Sequence, residues 1–263
     1  MTERIKIYDM RANGVYLPIR YYARPDQTKV VLVGSLHEGE EIFYKKIARI
    51  LKKCDMVIYE EPLTRDAETM RQLDKEWGQA LHDENLNEAF LAAIFLPTPQ
   101  KFIHNHLLRE ESHSFDYSQS NWISGDGDWM GGDKDASFSR ETWAHIRLNI
   151  CFVDQELKEK KVAAARTFLK KVNNYSASML DYLDFENLYD DEIQDKVTQS
   201  VLVDPRDDIA LNVLDRITYT KKLRVGIQFG NGHVRHMDQL LRDRGYALTT
   251  VKWLRILTIF PAE

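Results

Sequence analysis

Cysteine is nearly absent from this sequence. Cys54 and Cys151 are the only two cysteines in 263 residues. A pair so far apart fits neither a disulfide framework nor a Cys-x-x-Cys metal site. Because free cysteine usually packs as a small core residue, we expect both thiols to be reduced and buried.

Long apolar runs and an excess of basic residues are also missing. No segment approaches the roughly 18 consecutive apolar residues that span a bilayer, and the N-terminus lacks the apolar stretch of a signal peptide. Lysine plus arginine number 36 against 41 aspartate plus glutamate, which gives a net charge of -5. Such a charge provides no basic footprint for nucleic acid. We therefore expect a soluble, cytoplasmic protein with neither a nucleic-acid nor a membrane partner.

Short apolar strands and segments of helical spacing alternate at the start of the chain. The run at 30–33 ends at Gly34, a helical pattern follows to about residue 53, and a second apolar run at 56–59 ends at Glu60. Strand, helix and strand of these lengths form a unit with parallel strands, whose carboxyl ends share one edge of the sheet. His37 and Glu60 are therefore expected at that edge, close together if the two strands are neighbours.

The same order of elements returns near the other end of the chain. A strand at 223–229 runs into Gly-Asn-Gly-His at 230–233, and a helix and a strand at 246–253 follow. The first unit carries Gly-Ser-Leu-His at 34–37, so both are Gly-x-x-His junctions between a strand and a helix. Open α/β sheets bind ligands at the carboxyl ends of their strands. The sequence thus predicts that both histidines face one cleft.

These residue types suit acid–base or metal chemistry. The dipole at a helix N-terminus disfavours a protonated imidazole, so both histidines are expected to be neutral near pH 7. Two histidines and one carboxylate with an open position suit a catalytic divalent metal ion. We predict that His37, Glu60 and His233 bind one such ion or activate water without it. Glu61 competes with Glu60 for the carboxylate role, but strand alternation favours Glu60.

Further polar groups are expected around the same cleft. Asp204-Pro205 is a typical helix start, and Arg206 just after it is a candidate for holding a substrate carbonyl or carboxylate. His236, one turn after His233, either adds a ligand or lies on the helix surface. Free N–H groups at the two junctions suit an anion or an oxyanion. The residues expected to bind substrate are Gly34, Ser35, Gly230, Asn231 and, in the Gly- and Asp-rich loop at 124–135, Asp126.

The centre of the chain has a different character. Residues 63–200 are charged and largely helical in pattern, with a strand favoured at 115–123. The fold class that we predict is a single α/β domain with a mixed β-sheet flanked by helices. Its two strand–Gly-x-x-His–helix–strand units are separated by the helical insertion at 63–200, which is expected to cover the substrate.

The motifs together resemble the TraB/GumN family, which includes bacterial pheromone-shutdown proteins and the Tiki metalloproteases. The family is similar to the wider erythromycin esterase and ChaN haem-binding superfamily. Four features carry the resemblance: the junction at 34–37, Glu60 closing the next strand, Arg206-Asp207 opening a late helix, and the junction at 230–233. The matching residues lie at the two ends of the chain. Where family members often have Glu before the Arg, this chain has Pro205.

The resemblance implies a hydrolase that cleaves a peptide, ester or amide bond. In its metalloprotease-like version His37, Glu60 and His233 hold the metal ion, and Arg206 binds substrate or stabilises the oxyanion. In its esterase-like version His37 is the base and no metal is needed. The ChaN-like members imply an alternative, which is non-catalytic binding of a small ligand, a metal or haem. Because neither a membrane anchor nor an export signal is evident, pheromone or Wnt-like substrates are not expected.

Overall fold

The computed structural model describes residue 6 and residues 8–60, 75–96, 98–125, 147–148, 150–182 and 204–259. The chain divides into two compact units. The first unit comprises Met1–Leu63, Leu108–Gly132 and Val203–Glu263, and the second comprises Thr64–Leu107 and Asp133–Leu202. Within the described ranges, no helix is both long and apolar enough to cross a membrane.

A mixed seven-stranded sheet forms the centre of the first unit. Its strands are β1 (Asp9–Arg11), β2 (Gly14–Ala23), β3 (Lys29–Ser35), β5 (Met56–Tyr59), β7 (Trp122–Ser124), β8 (Arg224–Gly230) and β9 (Ala247–Thr258). They lie in the order β1-β2-β3-β8-β5-β7, with β9 paired to β2. Four neighbouring strands (β3, β8, β5 and β7) are parallel, whereas β2 is antiparallel to both β3 and β9. A separate two-stranded ladder joins β4 (Glu38–Gly39) to β6 (Arg109–Glu110).

Helices lie on both faces of this sheet, so the predicted fold class is confirmed. The helices of the first unit are α1 (Glu41–Leu51), α5 (Asp204–Thr218) and α6 (Val234–Asp243). One face packs against α5 and α6 in a single buried core that includes Leu32, Ile58, Ile227, Leu211, Leu214, Met237 and Leu241. The other face packs against α1, whose Leu51 approaches Gly226 so closely that a Cβ there would lie 2.7 Å from it. Strands buried on both faces are typical of parallel sheets covered by helices.

The strand order differs from the simplest expectation in one respect. The late strand β8 lies between β3 and β5, so the strands that lead to His37 and Glu60 are not neighbours. Both strands pair with β8 along their whole length, and the three strand ends still share one edge. A long-range pairing thus completes the sheet that the early strand–helix–strand unit begins.

Three local expectations are corrected by the structure. The strand expected at 115–123 is reduced to β7, because turns occupy the residues before it. The strand expected at 246–253 is longer than predicted and continues as β9 to Thr258, since it pairs with β2 along almost its whole length. Cys54 is buried as expected, but Cys151 is exposed.

The second unit is helical in its described parts. Its helices are α2 (Leu86–Phe95), α3 (Gln100–Asn105) and α4 (Gln155–Asn173). The aromatic rings of Phe102, Phe168 and Tyr182 contact one another at centroid distances of 5.1 to 6.0 Å. Residues 108–132 of the predicted insertion belong to the first unit.

A buried carboxylate holds α6 against the sheet. Asp238 accepts a short hydrogen bond from the Tyr22 hydroxyl on β2. The Arg20 guanidinium lies 3.5 Å from the same carboxylate, and Arg242 donates to its other oxygen at 2.6 Å. Burial and the neighbouring carboxylate raise the pKa of Tyr22 above its usual range, so its hydroxyl stays a donor. Asp238 therefore links two elements that are remote in sequence.

Asp238→Asn is expected to lower the free energy of unfolding by about 3 kcal/mol, because removing one charge of a buried ionic group leaves its partners uncompensated. Urea unfolding measures the change. Asp243→Asn is the matched control, since Asp243 is exposed on the same helix; it should change the value by less than about 0.5 kcal/mol. Equal effects of the two variants would contradict a special contribution from the buried carboxylate.

Candidate active site at the carboxyl edge of the sheet

The register of the three central parallel strands sets where the candidate site lies. Ser35 of β3 pairs with Gly230 of β8, and Gln228 of β8 pairs with Tyr59 of β5. Because registered residues of parallel strands point to the same face, Ser35, Gln228 and Tyr59 all face α1. Phe229 points to the other face, towards α5 and α6. Polar groups therefore meet at this edge from both faces of the sheet.

On the face of α5 and α6 lies a charged cluster made of Glu60, Arg206, Asp207, His233 and His236. Glu60 accepts a hydrogen bond from Arg206 Nη2 at 2.6 Å through one oxygen and from the Gly230 N–H at 2.5 Å through the other. His233 Nε2 lies 3.6 Å from the first of these oxygens. A Cβ at position 230 would lie 3.1 Å from the carboxylate, so glycine allows this close approach.

Asp207 organises the two histidines of the charged cluster. It is fully buried, and its two oxygens accept hydrogen bonds from Nδ1 of His233 at 2.6 Å and Nδ1 of His236 at 2.9 Å. A carboxylate accepts only, so each imidazole must carry its proton on Nδ1. The second carboxylate, Glu60, then faces Nε2 of His233. His233 is thus held between two acidic groups.

These contacts determine the charge states of Glu60 and His233. Burial by itself would lower the pKa of His233, but Glu60 and Asp207 outweigh burial and raise it to about 9. Burial would raise the pKa of Glu60, but Arg206 and His233 hold it well below its usual range. His233 is therefore protonated near pH 7. The expectation of a neutral imidazole at this helix start is wrong, because two carboxylates outweigh the helix dipole.

On the α1 face lies a second group, the Glu111 cluster, made of Ser35, His37, Glu111 and Gln228. Glu111 is buried, and one of its oxygens accepts from Gln228 Nε2 at 2.5 Å. Its other oxygen lies 3.9 Å from His37 Nδ1, and its backbone N–H donates to the His37 carbonyl at 2.7 Å. The Ser35 hydroxyl donates to the Phe229 carbonyl and lies 3.3 Å from the same Gln228 nitrogen.

His37 is the exposed member of this edge. Its side chain is 75% exposed, whereas that of Glu111 is 10% exposed. Strand β4 separates His37 along the chain from α1, which begins only at Glu41. His37 is therefore not at a helix N-terminus, contrary to the expectation from sequence. Its imidazole is accessible to a ligand.

The two clusters act on each other electrostatically. Burial raises the pKa of Glu111 to about 7, although the charge of His37 acts in the opposite direction. The negative charge of Glu60 adds to this rise, and the positive charge of His37 helps to lower the pKa of Glu60. The charge of His37 therefore influences the pKa of both Glu60 and Glu111.

The residues expected to bind substrate have other contacts here. Ser35 and Asn231 are buried. A Cβ at Gly34 would lie 2.6 Å from both Asn231 Oδ1 and a Val234 methyl, so this glycine permits close packing of β8 and α6 against β3. The N–H of Gly230 is bound to Glu60. Asp126 and Glu61 lie outside the described residues.

Two residues of the Glu111 cluster, Glu111 and Gln228, are not among the site residues that the sequence motifs predict. Glu111 follows Arg109 and Glu110 in a charged segment, where nothing distinguishes it from a surface residue. Gln228 does carry a signal. An amide in a strand that is otherwise apolar is costly to bury without a hydrogen-bond partner. Its presence in β8 points to a polar group at the strand end.

Two of the three predicted metal ligands, Glu60 and His233, already have partners for their donor atoms. Metal-binding histidine must be neutral and carboxylate must offer an oxygen, whereas His233 is protonated and both Glu60 oxygens accept hydrogen bonds. In the part of the chain that the structure describes, no group of three or more His, Cys, Asp or Glu residues is arranged to hold a metal ion. A metal ion held by His37, Glu60 and His233 would have to displace the Arg206 contact and the His233 proton, and metal binding by these residues stays a prediction from sequence.

No protein-family model, no curated protein and no solved structure matches this chain. The resemblance to the TraB/GumN family therefore stays a prediction from its motifs. Function is inferred below from the two clusters.

The free energy of unfolding is expected to fall as the pH rises from about 6.5 to about 9. The pKa of His233 increases from 6.5 to about 9 on folding, so its stabilisation is complete below 6.5 and is lost as the pH passes through 9. His233→Asn should remove about 2 kcal/mol of this decrease. Urea unfolding across this range measures it, with His113→Asn, an exposed histidine of the same unit, as control. An unchanged slope in His233→Asn would contradict the protonated state.

Glu111→Gln is expected to stabilise the protein at pH 8. The pKa of Glu111 increases from 4.5 to about 7 on folding, so the wild-type protein loses stability as the pH rises through this window. The neutral amide avoids that loss, and the gain should be about 2 kcal/mol at pH 8 and small at pH 4.5. The difference in urea midpoint between the two pH values tests this. A loss of stability at pH 8 would show that the ionised carboxyl is favoured.

Proposed function

We propose that the first unit contains a hydrolase active site, in which His37 activates water for attack on an ester, amide or peptide carbonyl. One observation carries the proposal. The exposed imidazole of His37 interacts electrostatically with a cluster in which the largely buried carboxylate Glu60 contacts two cations, Arg206 and His233. Such a combination provides a base and a source of positive charge at one sheet edge.

His37 has the properties that a general base needs. Imidazole exchanges protons near neutral pH, and this side chain is exposed whereas His233 and Asp207 are buried. In the reaction, His37 takes a proton from water while the water oxygen bonds to the carbonyl carbon. The imidazolium then returns the proton to the leaving oxygen or nitrogen as its bond to that carbon breaks.

Arg206 and His233 supply the electrostatic part of the mechanism. The tetrahedral intermediate carries a negative charge on the former carbonyl oxygen, and fixed cations or N–H donors stabilise it. Glu60 and Asp207 hold these two cations in place through contacts of 2.6 Å each. Because Asp207 also fixes the Nδ1 proton of His233, the second N–H of this protonated imidazole is at Nε2, on the side of Glu60. The cations are therefore oriented before substrate binds.

The proposal takes the esterase-like rather than the metalloprotease-like version of the expected activity. The engaged oxygens of Glu60 and the protonated state of His233 favour it, because both groups are then occupied by ion pairs instead of being open to a metal ion. The activity agrees with the hydrolase that the resemblance to the TraB/GumN and erythromycin esterase proteins implies.

His37→Ala is expected to lower kcat/KM for hydrolysis about 100-fold or more, because it removes the general base. A series of p-nitrophenyl esters of increasing acyl length, together with matching anilides, provides the substrates, and release of the chromophore is followed at pH 8. His113→Ala is the matched control, since it removes an equally exposed histidine of the same unit. Wild-type rates in His37→Ala would contradict the proposal.

A chelator separates the two versions of the mechanism. Wild-type protein dialysed against EDTA and 1,10-phenanthroline is expected to keep its activity. Loss of activity that zinc restores would instead support the metalloprotease-like version.

A further inference from the structure

One buried carboxyl group has no part in the chemistry described so far. Glu111 is 7% exposed, and an ionised carboxylate is costly to bury unless its surroundings bind it. Two parts of the chain hold it. Its backbone N–H donates to the His37 carbonyl, and its side chain accepts from Gln228 on the central strand β8.

The side-chain amide of Gln228 is oriented so that its nitrogen donates to Glu111. It is 1% exposed, and its Nε2 group reaches both Glu111 at 2.5 Å and the Ser35 hydroxyl at 3.3 Å. Its Oε1 atom is buried without a hydrogen-bond partner among the residues that the structure describes. Leaving an amide oxygen unsatisfied is unfavourable. The Gln228 side chain thus leaves its amide oxygen without a hydrogen bond among the described residues, while its amide nitrogen donates to Glu111.

The free side of the carboxyl group points to His37. Glu111 Oε2 lies 3.9 Å from His37 Nδ1. This separation is longer than a hydrogen bond, but catalytic hydrogen bonds are often long before substrate binds. Among the neighbouring charges, Glu60 and Glu38 oppose ionisation of Glu111, whereas His37 favours it. The exposed imidazole is therefore the natural partner of the buried carboxylate.

We propose that Glu111 is a positioning residue for His37: held by Gln228, it accepts a hydrogen bond from the Nδ1–H of His37 and so leaves Nε2 to act on water. In a neutral imidazole, the hydrogen bond made by one ring nitrogen determines which nitrogen carries the proton. Glu111 thus selects the tautomer that a general base requires. The effect of this contact on turnover rests on the proposed function, whereas the tautomer of His37 can be measured in the protein without substrate.

The tautomer of His37 is measured directly by NMR. Protein with ¹⁵N-labelled histidine is studied at pH 8, and the His37 signals are assigned by their loss in His37→Ala. The wild-type protein should show His37 with its proton mainly on Nδ1. Glu111→Gln should lose this preference, because the glutamine amide presents an N–H on one side and cannot accept from both Gln228 and His37.

Two further variants make the measurement specific. Gln228→Leu removes the donor that holds Glu111 while keeping the strand apolar, and it should weaken the His37 preference in the same direction. It also keeps the test decisive if Glu111→Gln fails to fold. Glu110→Gln changes the neighbouring carboxyl group, which lies near His113 instead, and should leave the His37 signals unchanged. An unchanged tautomer in both Glu111→Gln and Gln228→Leu would overturn the proposal.

Kinetics separate this proposal from the proposed function. If both hold, Glu111→Gln lowers kcat at least about tenfold with little change in KM, and adds no further loss in the His37→Ala background. A changed tautomer in a protein that hydrolyses none of the esters supports the positioning role and rejects the hydrolase. Hydrolysis that needs His37 but is unaffected by Glu111→Gln, with an unchanged tautomer, rejects the positioning role alone.

Discussion

The largely buried carboxylate of Glu60 is the group around which the candidate site is assembled. It lies just past the end of β5, accepts the backbone N–H of Gly230 at the end of β8, and pairs with Arg206 at the start of α5. His233 at the start of α6 lies 3.6 Å away. A buried charge of this kind is stable only when it is compensated. The need to compensate one carboxylate therefore brings two strand ends and two helix starts to the same point.

The two faces of the sheet give the two histidines opposite properties. On the α5 and α6 face, His233 is buried between Glu60 and Asp207 and is therefore protonated. On the α1 face, His37 is exposed beside Glu111. One imidazole then serves as a fixed cation and the other as a base. A symmetrical pair of motifs thus produces an asymmetrical site, because the acidic partners differ from one face to the other.

Much of this fold follows from local sequence patterns. The apolar runs, the helical spacing and the Gly-x-x-His junctions locate β3, α1, β5, β8 and α6 within a few residues of their observed ends. The strand order does not follow from them, because pairing of β8 between β3 and β5 depends on contacts between distant segments. The continuous β9 is similar, since its length comes from pairing with β2 and not from its own pattern. Local patterns likewise do not indicate that residues 115–121 form turns instead of a strand.

Sequence alone determined that two histidines, an acidic residue and an arginine stand at the ends of strands and the starts of helices, because periodicity and glycine positions are local properties. Only the tertiary structure decided which groups touch. Glu111 lies far from His37 along the chain and looks like a surface residue, yet the β4–β6 ladder and Gln228 place it beside the imidazole. Charge states depend on such contacts, since burial and neighbouring charges set a pKa. The sequence therefore identified the histidines, and the folded structure assigned each of them its chemistry.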